Sequence, residues 1–218
     1  MSTSPQVVVR GEAVLTVPPE VADVVATVRV RARDRRTAIE RCHARLAEVT
    51  AVVTEAGDAV ESVATTGVSV HDEDFEHRPA ERVAVVQTQV VLARIAAAGE
   101  LLGRLADLED VAVAGPHWRL RPDSPAHEEA RLAALRDAVR RARLYAGALG
   151  AEITGLVEVA DAGLARSGGA GFGETPLRVA AFESSAPALE LTPQQLRVHG
   201  SVEVRFDLSV PDPEVFRR

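Results

Sequence analysis

The stretch from Ser124 to Gly150, SPAHEEARLAALRDAVRRARLYAGALG, limits the fold of this chain more than any other. Ser124 is a strong helix N-cap, since its hydroxyl oxygen accepts from a free amide of the first turn. Pro125 stands at the first helical position, where a missing N–H costs nothing. Glu128 and Glu129 lie near the positive end of the helix dipole, and Arg140, Arg141 and Arg143 nearer the negative end. Asp137 is spaced to pair with Arg140 or Arg141. Gly150 supplies the left-handed residue that ends the helix. Leu132, Leu135, Val139, Ala142, Ala146 and Leu149 step by three and four, which predicts one buried stripe. A second row, Ala130, Ala134, Ala138, Ala142 and Ala146, recurs at every fourth residue. So short a side chain lets another backbone come close: first a sheet beneath the helix, second a neighbouring subunit. The helix runs directly into a strand, Glu152 to Ala160.

The rest of the chain alternates strands with capped helices. Val7 to Val17 reads as a strand whose Gly11 marks a bulge or a close backbone approach. Pro18-Pro19 forces a turn. Ala22, Val24, Ala26, Val28, Val30 and Ala32 then alternate with Asp23, Thr27, Arg29, Arg31 and Arg33, a half-buried strand with a basic outer face. Asp34 caps a helix to about Ala56, closed by Gly57, with a predicted stripe of Ile39, Cys42, Leu46, Val49, Val53 and Ala56. Glu61 to His71 and Arg82 to Ile95 form a hairpin whose long polar tip is HDEDFEHRPAE. In the second of these strands Val86, Val90 and Leu92 should face in and Gln87 and Gln89 out. A short helix covers about 97–108, and a strand, Val111 to Arg121, is kinked or bulged at Gly115-Pro116. Residues 162–193 are rich in Gly, Ala, Ser and Pro without periodicity and read as a long mobile loop. Val198 to Leu208 alternates throughout, and the tail 211–218 frays. The fold class expected is α+β: a largely antiparallel mixed sheet with two long helices packed on it. The capped-helix, glycine, strand unit occurs twice and hints at a degenerate duplication. One domain, 6–210, accounts for the pattern.

Several function classes are disfavoured by composition. The net charge of −7 sets a general nucleic-acid binder at a disadvantage. All 25 basic residues are arginine, and the chain has neither lysine nor asparagine, which reads as a coding bias. A nucleic-acid track through Arg29, Arg31, Arg33, Arg35 and Arg36 is therefore weighed against a solvated sheet face whose arginines pair with carboxylates, and the latter is preferred. The single cysteine, Cys42, excludes an internal disulfide and reads as a buried structural thiol. No signal peptide and no membrane-length apolar run is seen, so a cytoplasmic location is expected.

Candidate chemistry is sparse. His71, Asp72, Glu73, Asp74, Glu76 and His77 form the only dense polar constellation. Imidazole and carboxylate together can hold a divalent metal, with His71, Asp72, Asp74 and His77 as the ligands. The cluster sits at a hairpin tip and lacks the i, i+4 helical geometry that fixes such ligands, so a solvated acidic loop is the first reading. Cys42 and His43 are neighbours on a helix and point about 100 degrees apart, which rules out a nucleophilic pair. His117, His127 and His199 read as surface histidines. SGGAGFGE at 167–174 does not open a helix after a strand and is no phosphate loop. No catalytic residue and no cofactor is implied.

Four stretches in order carry a family resemblance. VVVRGEAVLTVPPEVADVVATVRV, RTAIERCHARLAEVTAVVTEAG, EARLAALRDAVRRARLYAGALGAEITGLVEVAD and TPQQLRVHGSVEVRFDL resemble the opening strands, first helix, central helix–strand and closing strand of the SIMPL-domain family. That family was once filed as a domain of unknown function. The resemblance covers nearly the whole chain. It implies a mixed sheet-and-helix fold and a tendency to form homo-oligomers, in some members ring- or channel-like. Bacterial relatives include secreted or periplasmic antigens and proteins of oxidative-stress defence, and no catalytic residues are established among them. Two features depart from the pattern: many relatives begin with a signal peptide, and Pro193 is followed here by Gln194 where the family often has glycine. The function expected is non-enzymatic, through self-assembly or binding of a protein partner, with a stress-related role. The alternative is a metal-binding or metal-dependent stress enzyme using the 71–77 tip.

Overall fold

The computed structural model describes residues 4–75, 78–161 and 191–217. The element order is the expected one: β1 (Gln6–Val17), β2 (Val21–Ala32), α1 (Arg35–Glu55), β3 (Val60–Phe75), β4 (Arg78–Leu92), α2 (Ala98–Ala106), β5 (Val111–Arg119), α3 (Pro125–Ala148), β6 (Ile153–Asp161) and β7 (Leu196–Leu208). The class is α+β, and the strands form two sheets, ordered β1-β7-β6 and β3-β4-β2-β5. The chain divides into two compact units. One takes in the described residues of 1–17, 122–175 and 197–218, the other those of 18–121 and 176–196.

In the first unit β7 is central and antiparallel to β6. It also runs antiparallel to β1: the Leu208 amide donates to the Pro5 carbonyl, and Arg10 meets Glu203. One sheet face is covered by α3, and the row it buries is the alanine one. Ala126, Ala130, Ala134, Ala138, Ala142 and Ala146 are all buried. The expected leucine–valine stripe is not the buried one: Leu132 is exposed, and Leu135 and Val139 pack only at the edge of the core with Val9, Val202, Val204 and Phe206. The reason lies in the strands beneath. A Cβ on Gly11 would come within 2.0 Å of the Ala134 carbonyl oxygen, and one on Gly200 within 2.0 Å of the Ala130 carbonyl oxygen. Helix and sheet backbones touch, and only alanine fits between them. Glycine in β1 thus marks a close approach, and β1 is continuous through it. Asp137 adds a polar tie, accepting from the Glu12 amide at 3.1 Å while holding Arg141 at 2.7 Å.

Both ends of α3 are closed as the sequence predicts. Ser124 caps the start through the Ala126 amide. At the other end the Ala151 amide donates to the Ala146 carbonyl and Gly150 to Gly147, with Gly150 at φ +62. The tail does not fray at once: the Asp212 amide donates to the Leu149 carbonyl, and Asp212 caps a short 3-10 turn, Pro213–Phe216.

In the second unit all strand pairs are antiparallel. Ala22, Val24, Ala26, Val28 and Val30 of β2 and Ala84, Val90 and Leu92 of β4 form the buried face, with α1 across β2 and β4 and α2 against β5. Asp34 caps α1 by accepting from the Thr37 amide and hydroxyl, which lowers its pKa. The buried positions of α1 are Ala38, Cys42, Val49 and Val53. Ile39 is exposed, so here too the small residue takes the place expected of the large one. The register shift between Asp23 and Val25 lies opposite Gly115, the expected bulge, where a Cβ would come within 2.7 Å of the Asp23 carbonyl oxygen. The hairpin is longer than its apolar content suggests: the β3–β4 ladder runs on through Asp72↔Arg82 to Phe75↔Arg78. Polar residues on both faces hide that extension from any count of alternation. Residues 162–190 of the expected loop lie outside the described residues.

Two substitutions separate contact from propensity. Gly11→Ala should lose at least ~2 kcal/mol in denaturant unfolding, because the helix must lift off the strand. Gly147→Ala, in the same helix with nothing within 4 Å of an added Cβ, should gain about 0.5–1 kcal/mol.

Candidate functional site

The polar tip of the hairpin does not converge on a point. His71 pairs across the ladder with Val83, Asp72 with Arg82 and Glu73 with Glu81, so His71 and Asp72 lie on opposite faces of the strand. Asp72 meets Arg82 Nε at 3.0 Å. Glu73 accepts from Arg29 at 2.9 Å and from Arg31 Nε at 2.8 Å. These bonds hold its carboxyl below the usual range, the hydrogen bond from Arg31 being the largest cause. Glu76 and His77 lie outside the described residues, as does the side chain of Asp74. Among the described residues no three His, Cys, Asp or Glu side chains gather closely enough to hold a metal ion.

The same ion pairs account for three members of the arginine row. Arg29 and Arg31 both engage Glu73, and Arg36 pairs with Glu40. The basic outer face of β2 is thus a solvated sheet face matched to neighbouring carboxylates. Cys42 is buried among the α1 packing residues, and burial pushes its thiol pKa up. His43, beside it, is exposed, as are His117 and His199; His127 is half-buried.

The surface that stands out is apolar and lies in the first unit. An α-helix about 10 Å wide covers about two strands spaced at roughly 4.8 Å. With α3 seated on Gly11 of β1 and Gly200 of β7, the edge strand β6 packs with the helix alanines at Ile153 and is left beyond the helix's shadow from Leu156 onward. Leu156 is 61% exposed and Val159 49%. Both lie opposite core residues of β7, Phe206 and Val204 respectively. Between β6 and α3 runs an open trough of about 720 Å³ of mixed character, with Val139, Ile153, Leu156 and Phe206 beside Arg143, Glu152 and Thr154. Register shifts between Ile153 and Gly155 and between Leu156 and Glu158 twist this edge. Such irregularity blunts strand-to-strand addition and leaves side chains as the contact. Leu156, Val157 and Val159 escaped sequence reasoning as surface residues, although apolar side chains on successive positions of a short strand were the available signal.

An α+β protein of two sheet-and-helix units, with an uncovered apolar edge and dispersed titratable groups, is the class these features define. The chain matches the family model described as SIMPL, protein of unknown function (DUF541), over residues 7–206, and it belongs to that family. The match extends into both compact units. No curated protein matches the chain. No described helix is long and apolar enough to cross a membrane.

Glu73 has a lowered pKa in the folded protein, so its contacts stabilise fully above the ordinary value of 4.5 and are lost as pH falls through the lower folded value. Thermal melts should therefore show Glu73→Gln less stable than the parent at neutral pH, with the gap closing well below pH 4.5. Cys42 should resist a thiol reagent in the native protein and react fully in denaturant.

Proposed function

We propose that the protein works without catalysis of its own, by self-association or by binding a protein partner through apolar contacts of its first unit. The observation that carries this reading is the exposed stretch of β6: Leu156, at the mouth of the β6–α3 trough, and Val157 and Val159 beyond it all stand in solvent on an edge strand. Three exposed apolar side chains within four residues of one edge strand support an interaction site in a folded protein. The charged groups support the same reading, since Asp72, Glu73, Arg29, Arg31 and Arg82 spend their bonding capacity on one another. A stress-related role accords with the family resemblance and extends this proposal.

Size-exclusion chromatography with light scattering tests it directly. The full chain should run above its 23.2 kDa monomer mass as concentration rises. Leu156→Glu with Val159→Glu should return it to monomer with its melting behaviour retained. A chain that stays monomeric at every concentration and retrieves no partner from its host overturns the proposal.

A further inference from the structure

We infer that one flank of α3, through Glu128, Leu132, Leu135, Val139 and Arg143, is a two-fold contact with the same flank of a second copy of this chain. The inference rests on the self-association proposed above and names the partner and the wall of that contact next to the β6–α3 trough, since Val139 and Arg143 line both. The five residues step by four, three, four and four, so they share one side of the helix. Leu132 is 45% exposed. Leu135 and Val139 line a shallow groove of about 440 Å³ together with Arg136, Arg140 and Arg143. The two ends of the stripe carry opposite charge. Glu128 and Arg143 are exposed, and neither has an ion-pair partner among the described residues, whereas Asp137 on the same helix holds both Arg140 and Arg141.

This pattern is self-complementary in one orientation. Antiparallel packing about a two-fold axis near Leu135 sets Glu128 of one copy against Arg143 of the other and Leu132 against Val139, and brings the two Leu135 side chains near the axis. Parallel packing would set Glu128 on Glu128 and Arg143 on Arg143, like on like. A partner of uniform charge would be repelled at one end. A second copy supplies both charges at the right separation, about 22 Å along the axis at 1.5 Å per residue. Arg136 lies beside the axis, and its long side chain is free to turn to solvent. Five residues on each side fall short of the roughly 800 Å² per partner of a standard interface, so the dimer should be reversible and weakened by salt.

Sedimentation velocity of the full chain across a concentration range, with matched thermal melts, tests the inference. Glu128→Arg and Arg143→Glu should each weaken association about tenfold, and the double variant should recover it. Mild oxidation of Leu135→Cys should give a disulfide-linked dimer, whereas Leu144→Cys, exposed on another side of the helix, should not. Should the parent associate while the charge exchange has no effect and Leu135→Cys stays uncrosslinked, this surface is wrong and self-association stands. A parent that is monomeric throughout sinks both.

Discussion

The first unit depends on a contact between backbones. α3 lies on β1 and β7 so closely that neither Gly11 nor Gly200 has room for a methyl group. This explains several features together. The facing helix residues must be alanine, which loses no side-chain entropy on burial. The strands need glycine at one position each, although glycine is ordinarily a poor strand residue. The sheet joins the two ends of the chain, since β1 and β7 are neighbours under a helix drawn from the middle. Such non-local pairing is slow to form, because the intervening chain must be ordered first.

Valine and arginine hold the second unit together by other means. The face under α1 and α2 is built from valine, alanine and leucine side chains on β2 and β4. On the opposite face Glu73 of β3 reaches across β4 to Arg29 and Arg31 of β2, two strands away. Val83, which pairs with Arg31 on one side and His71 on the other, is fully buried although it belongs to that outer face. The ion pairs therefore tie an edge strand into the sheet as well as neutralising charge.

Much of this was legible in the sequence. The helix caps at Asp34 and Ser124, the closing glycines 57 and 150, the strand alternation of β2 and β7 and the bulge at Gly115 each follow from local chemistry, and all ten elements were found in order. What the sequence hid was which side of a helix meets the core. Leu132 and Ile39 read as buried from hydrophobicity alone, but on α3 a glycine far away in the chain made alanine the better-fitting neighbour, and on α1 Ala38 takes the buried place beside Ile39. The hairpin's full reach was hidden for a related reason: Asp72 and Glu73 are held by cross-strand arginines, and no apolar pattern marks them. The apolar edge of β6 was missed because exposure there comes from the width of a helix, a quantity that no single segment encodes.

Alanines at every fourth residue do not run parallel to the helix axis. Each step of four turns about 400 degrees, so the row advances about 40 degrees per step and winds through roughly 200 degrees from Ala126 to Ala146. All six are buried nonetheless. The helix must therefore roll as it crosses: Ala130 meets β7 at Gly200, Ala134 and Ala138 meet β1 at Gly11, and Ala146 packs with Ala151 and Leu208. A straight partner rod would lose such a spiral within two turns, whereas a twisted sheet with a returning chain end can follow it. The pitch of the alanine row thus encodes the curvature of the surface it was made to fit.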